Sequence, residues 1–118
     1  MTETRAEYGS TVEQEFAMQL RAYNIAYETQ FTDDRIRGKK NPLPFDFYIK
    51  PDILVEVNGG TWARMGHSTG TGIQRDYDKS NLGQLAGFRV FQFTSDDVRS
   101  GRAIQFILRA MNLQAVNR

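Results

Sequence analysis

The chain predicts an α/β domain built on a mixed four-stranded sheet with helices on its faces. Three observations lead there. A Ser-x-x-Glu helix start is followed by apolar residues at helical spacing. Two short β-rich segments, FDFYI and ILVEV, are split only by Lys50-Pro51-Asp52. A further β segment, FRVFQF, is reached only after a long helical stretch. The order is helix, three strands, helix, strand, helix. Three consecutive strands can meander antiparallel, and a strand reached through a crossover helix can lie parallel to one of them.

Ser10 and Glu13 form a capping box at the first helix, and Val12, Phe16, Ala17 and Leu20 then recur on one face until Tyr23–Asn24. Residues 26–31 (AYETQF) read as the first strand, and a polar loop follows from Thr32 to Pro44. Phe45–Ile49 and Ile53–Val57 form a hairpin around the Lys-Pro-Asp turn, and Gly59-Gly60 ends its second strand. Residues 61–72 are rich in Gly, Ser and Thr and read as a mobile loop. A helix over 73–86 stops at Gly87, residues 88–93 form the fourth strand, and residues 94–98 make a short turn. A last amphipathic helix carries Ala103, Ile104, Ile107, Leu108 and Met111.

A length of 118 residues suits one domain, 1–118, with a modest core that pairing with a second copy would supplement. There is no apolar run near the ~18 residues of a membrane span, and MTETRAEYGS lacks the apolar stretch of a signal peptide. The absence of cysteine excludes a disulfide framework and a thiolate zinc site, and fits a cytoplasmic protein. Net charge is only +1, but Arg35, Arg37, Lys39 and Lys40 are concentrated just after Asp33 and Asp34. Such a patch can bind phosphates, or can simply be a solvated loop.

Asp46 and Glu56 interrupt otherwise apolar strands. If the hairpin turns symmetrically about Pro51, Ile49 faces Ile53, Phe47 faces Val55, and Asp46 faces Glu56. Directly opposed Cβ atoms lie about 4.5–5.5 Å apart. Two like charges there repel, and a divalent cation between them, Mg²⁺ or Mn²⁺, would remove the penalty. The alternative is a pair of sheet-edge acids bound by Arg or Lys. Alternation places Phe45, Phe47, Ile49, Ile53, Val55 and Val57 on the opposite, core-facing side. Asp52 lies four residues before Glu56, roughly 13 Å away at ~3.3 Å per residue, and reads as a turn residue.

Asp46, then Glu56-Val57-Asn58 at a strand end, within an α-β-β-β-α-β-α order, resembles the PD-(D/E)xK nuclease superfamily over roughly Gly9 to Met111. The run DFYIKPDILVEVNGGTW, followed by RDYDKSN and GFRVFQFT, is similar to small phage and bacterial endonucleases of that superfamily. These include proteins related to very-short-patch repair and to Holliday-junction resolvases. Gly9-Ser10-Thr11-Val12-Glu13 resembles the first motif of archaeal-type junction resolvases.

The resemblance implies a restriction-endonuclease-like core and a metal-dependent DNA endonuclease, phage-encoded or bacterial. Asp46, Glu56 and the Val57 carbonyl would be the metal ligands, and Glu13, with Glu15 behind it, would be the first-helix acid. The superfamily's lysine should stand at Asn58, which carries no charge. Lys79 is the first choice to replace it, and shares a helical face with Arg75, away from Ile73, Tyr77 and Leu85. Arg64, His67, Arg75 and Gln92 join Arg35, Arg37, Lys39 and Lys40 as candidate DNA contacts. Trp62 reads as a loop anchor.

The chain has no room for a separate base-reading domain, which favours recognition of shape and phosphates. A homodimer would present two sites to branched DNA such as a Holliday junction. Repair, nicking or restriction-type cleavage is the alternative within the class. A catalytically inactive nucleic-acid-binding module, suggested by Asn58, and a structural protein with a salt-bridged acidic pair are the alternatives outside it.

Overall fold

The structure, a computed structural model, describes residues 11–58 and 70–116. Ser10 of the capping box and Trp62, Arg64 and His67 lie outside the described residues. The elements run α1 (Thr11–Ala22), β1 (Glu28–Phe31), β2 (Phe45–Ile49), β3 (Ile53–Asn58), α2 (Gly70–Leu85), β4 (Arg89–Thr94), α3 (Ser95–Arg99) and α4 (Arg102–Val116). The expected α/β architecture and element order hold. The turn after the fourth strand is a short helix, α3, started by a Thr94/Asp97 capping box.

The four strands lie in sequence order, β1-β2-β3-β4. The first three are antiparallel neighbours, and β4 runs parallel to β3 after the α2 crossover. The hairpin register is the expected one, Ile49 opposite Ile53 and Phe47 opposite Val55. β1 starts two residues later than expected, because α1 closes with Asn24 at φ 59° and with Ile25 N–H donating back to the Leu20 carbonyl at 2.9 Å. Gly87, at φ 98°, closes α2 the same way, with Phe88 N–H donating to the Gly83 carbonyl at 3.0 Å.

The sheet is covered on both faces. On one, α1, α3 and α4 pack Phe16, Leu20, Val98 and Ile107 against Phe47, Ile49, Ile53, Val55 and Val57. On the other, Ile36, Phe45, Leu54 and Phe88 form a second cluster, joined by Leu82 of α2 and by Ala86 just after it. Phe45 therefore departs from the predicted core face. Gln30, at φ 51°, breaks the pleat of β1 next to this point, and Phe45 packs with the second cluster instead.

The loop at 32–44 is less free than a polar composition suggests. Ile36 is fully buried, and Leu43 N–H and Gly38 N–H donate to the carbonyls of Ile36 and Asn41 at 2.9 and 2.8 Å. The orientation of α2 follows its packing on the second cluster. Ile73, Tyr77 and Leu85 are exposed, while Lys79, Leu82, Gly83 and Ala86 turn toward the sheet. At the far end of the sheet Arg89 grips Asp52 through two 3.1 Å contacts and donates to the Ala110 carbonyl. Asp52 is thus a structural residue, as expected of a turn.

Candidate active site at the end of the sheet

The β2–β3 ladder runs from Ile49–Ile53 to Phe47–Val55. Asp46 and Glu56 stand one step beyond it, where side chains continue the pairing. Asp46 N–H donates to Glu56 Oε2 at 3.0 Å, and Val57 N–H donates to Asp46 Oδ2 at 2.8 Å. Each carboxylate is held through one oxygen by the other strand's backbone, so neither can rotate away.

Lys79 reaches this pair from α2. Its ammonium lies 2.9 Å from Glu56 Oε2 and 4.5 Å from the centroid of the Phe45 ring. Both ends of the ion pair are largely enclosed, with 16% and 19% of the side chains exposed. Glu13 of α1 and Gln30 of β1 lie within hydrogen-bonding reach of the Asp46 carboxyl. Of the two acids expected from the first helix, Glu13 is the one beside Asp46. Glu15 points elsewhere and pairs with Arg99 at 3.2 Å.

Burial pushes the Asp46 carboxyl above its usual value, against the opposing pull of Val57 N–H, Lys79, Glu13 and Gln30. Burial also raises Glu56, helped by the negative charge of Asp46 and opposed by Lys79 and Asp46 N–H. The two acids resist being ionised together, and added positive charge relieves that strain. Lys79 supplies part of it. Among the described residues no group of three or more His, Asp or Glu side chains is placed to hold a metal ion. Glu56, which lines the cleft, and Asp46 beside it are nonetheless hard oxygen donors of the kind Mg²⁺ or Mn²⁺ takes, since Mg²⁺ commonly uses one or two carboxylates and keeps several waters.

The cleft beside the acids has a volume of about 10 Å³, room for one water-sized group, and is lined by Phe45, Glu56, Asn58, Asp76, Lys79, Ser80 and Gln92. Gln92 is carried there by the β3–β4 register, which sets it next to Glu56. Asn58 occupies the strand position where the resemblance expects a lysine, and the Lys79 ammonium reaches Glu56 from α2. Asp76, Ser80, Gln30 and Phe45 were not foreseen. Asp76 and Ser80 could have been found from their spacing around Lys79 on one helix, and Gln30 from counting the β1 register onto Asp46. No sequence signal marks Phe45 as a partner for a cation.

The basic residues divide. Arg37, Lys39 and Arg75 rim an open groove of about 1090 Å³ between the 32–44 loop and α2, floored in part by Leu43 and Leu82. Arg75 and Lys79 thus serve different depressions despite their i,i+4 spacing. Lys40 is exposed, and its carbonyl accepts from Arg37 at 3.0 Å. Arg35 is committed within the fold. It binds both oxygens of Asp33 at 2.8 Å, donates to the Ala86 carbonyl at the end of α2, and sits over the Phe88 ring.

No family model matches the chain, and no curated protein matches its sequence. Among solved structures, the catalytic domain of the homing endonuclease I-Bth0305I shares its fold. The TM-score is 0.60 at 20% identity, and the match covers 86% of this chain and 92% of that domain.

Proposed function

We propose that this chain is a divalent-metal-dependent DNA endonuclease of the PD-(D/E)xK type that hydrolyses phosphodiester bonds. One observation carries the reading: Asp46 and Glu56 are locked side by side at the end of the sheet, with the Lys79 ammonium 2.9 Å from Glu56. The shared fold with an endonuclease catalytic domain and the sequence resemblance support it.

Asp46, Glu56 and the Val57 carbonyl would hold the ion, with Glu13 reaching it directly or through water. When bound, Mg²⁺ or Mn²⁺ polarises the phosphate and acidifies a water. The chain's own residues do the rest. Lys79 offsets negative charge on the phosphate as the water oxygen joins phosphorus and the bond to the departing oxygen breaks. Asn58 and Gln92 line the cleft with groups that hydrogen-bond a water or a phosphate oxygen. Arg37, Lys39 and Arg75, with Lys40, Arg64 and His67, hold the DNA backbone by its phosphates.

The substrate we favour is branched DNA, bound by a homodimer that presents two such sites. Repair, nicking or restriction-type cleavage is the alternative within the class. The test is cleavage of a labelled four-way junction, a matched duplex and a single strand by wild type and Asp46→Asn, with Mg²⁺, Mn²⁺ or EDTA. Metal- and Asp46-dependent cutting of the junction alone is the expected result. Equal cutting of all three removes the junction preference, and no cutting by folded protein removes the nuclease.

The Lys79–Glu56 contact also favours a second reading, a structural ion pair at an inactive site. Calorimetric titration with Mn²⁺ separates the two, since a purely structural pair leaves no carboxylate set for the ion.

A further inference from the structure

We infer that Gly83 and Phe45 are positioning residues that set the reach of Lys79 onto Glu56, a claim that rests on the proposed catalytic role of Lys79. The strand position that would carry the lysine holds Asn58, so the charge must come from a helix lying over the sheet. Its placement then depends on how closely that helix approaches.

Gly83 stands one turn after Lys79 on the same side of α2. A Cβ at this position would lie 2.8 Å from Val90 Cγ2, 3.5 Å from Phe45 Cζ and 3.6 Å from Leu54 Cδ1. Three strands, β4, β2 and β3, thus surround the space where a side chain would be. Carbon atoms prefer separations of about 3.5–4.0 Å, so a methyl group would force α2 or Val90 to give by roughly 0.7 Å. Val90 is β-branched and stiff at χ1, which passes the displacement to the helix.

Phe45 links this contact to the lysine. Its ring edge meets Gly83, and its face lies 4.5 Å from the Lys79 ammonium. Phe45 also begins the strand that carries Asp46. The ring therefore fixes the helix spacing and holds the cation beside the carboxylates through its negative face. Glycine is otherwise a poor choice inside a helix, and close approach is the physical reason to have one here.

The experiment compares wild type, Gly83→Ala, Val90→Ala, the double variant and Phe45→Leu. One readout is single-turnover cleavage of labelled DNA with Mg²⁺. The other is the chemical shift of the Lys79 ε-methylene in ¹³C-lysine-labelled protein, which the Phe45 ring displaces upfield. Gly83→Ala is expected to slow the chemical step by at least about tenfold, the penalty of a small misplacement, with DNA affinity unchanged. It should also lose the upfield shift. Val90→Ala should match wild type, and the double variant, with room restored, should recover both rate and shift. Phe45→Leu should lose the shift and slow cleavage with the helix still packed.

A wild-type rate and shift in Gly83→Ala, or a double variant as impaired as Gly83→Ala, overturns the inference. If wild type cuts nothing, the nuclease reading falls, and the Lys79 shift alone decides whether Gly83 and Phe45 position the amine. If Gly83→Ala does not fold, the Phe45→Leu shift decides: an unchanged Lys79 signal refutes the placement.

Discussion

Asp46 and Glu56 share one charge problem, and their substitutions should separate chemistry from stability. On the proposed metal site, Asp46→Asn removes a ligand charge, so cleavage should fall by at least about 10²-fold while DNA binding is retained. A wild-type rate in this variant would remove Asp46 from the site. Asparagine also removes one of two repelling charges, so the metal-free variant should melt no lower than wild type. Both carboxyls are raised by burial. A group with a raised folded pKa contributes full stability below its unfolded value and loses it as pH rises through the folded value. The metal-free melting temperature should therefore drop from these groups as pH rises from the ordinary carboxylate range toward neutrality, and less so in Asp46→Asn. Asp33 has the opposite sign. Its pKa is lowered to about 2 by Arg35, so its contribution is present above the usual 3.8 and lost as pH falls toward 2. With its partner Arg35 exposed, the contribution is screened and small. At this scale the sequence was informative where geometry is periodic. Counting about Pro51 places the two acids together, but cannot show that backbone N–H groups hold them. The same counting also says nothing of Phe45, because a broken pleat at Gln30 is invisible in residue types.

Elements were legible where burial follows a simple period and blurred where it does not. The hairpin, the parallel fourth strand and the amphipathic last helix all follow from alternation or helical spacing. α2 shows no such period, because Ile73, Tyr77 and Leu85 are 40%, 61% and 83% exposed. Its packed face instead carries Gly83, whose lack of a side chain scores as nothing in a hydrophobic pattern. The 32–44 loop misled for the converse reason, since a single apolar residue, Ile36, pins a basic and polar stretch. Ile36→Ala should cost about 2–5 kcal/mol in urea denaturation, as for other buried large-to-small changes. It should also weaken DNA binding, since Arg37 and Lys39 flank the anchor. A loss well under 1 kcal/mol would mean that the loop's own hydrogen bonds hold it.

For the whole molecule, a net charge of +1 conceals a local organisation, the groove rimmed by Arg37, Lys39 and Arg75 next to the acidic site. Reversing Lys39 or Arg75 to Glu should weaken DNA binding and reduce the salt dependence by about one phosphate contact each. Unchanged salt slopes in a filter-binding titration would place the DNA elsewhere. Arg35→Ala is the contrast. Its guanidinium binds Asp33 and the end of α2, so it should affect stability more than affinity. Fold class was readable because the order of elements admits few packings. The division of the basic residues into a groove and a structural clamp was not, since it depends on which carbonyls and carboxylates the fold brings near each guanidinium.

The measurement that bears most directly on the central claim is conversion of a closed supercoiled plasmid to nicked or linear form, which requires an internal cut. Wild type with Mg²⁺ should convert it, while wild type with EDTA and Asp46→Asn with Mg²⁺ should not. Conversion by the variant, conversion in EDTA, or an intact plasmid after incubation with folded wild type, Mg²⁺ and Mn²⁺ would contradict a metal-dependent endonuclease built on Asp46 and Glu56.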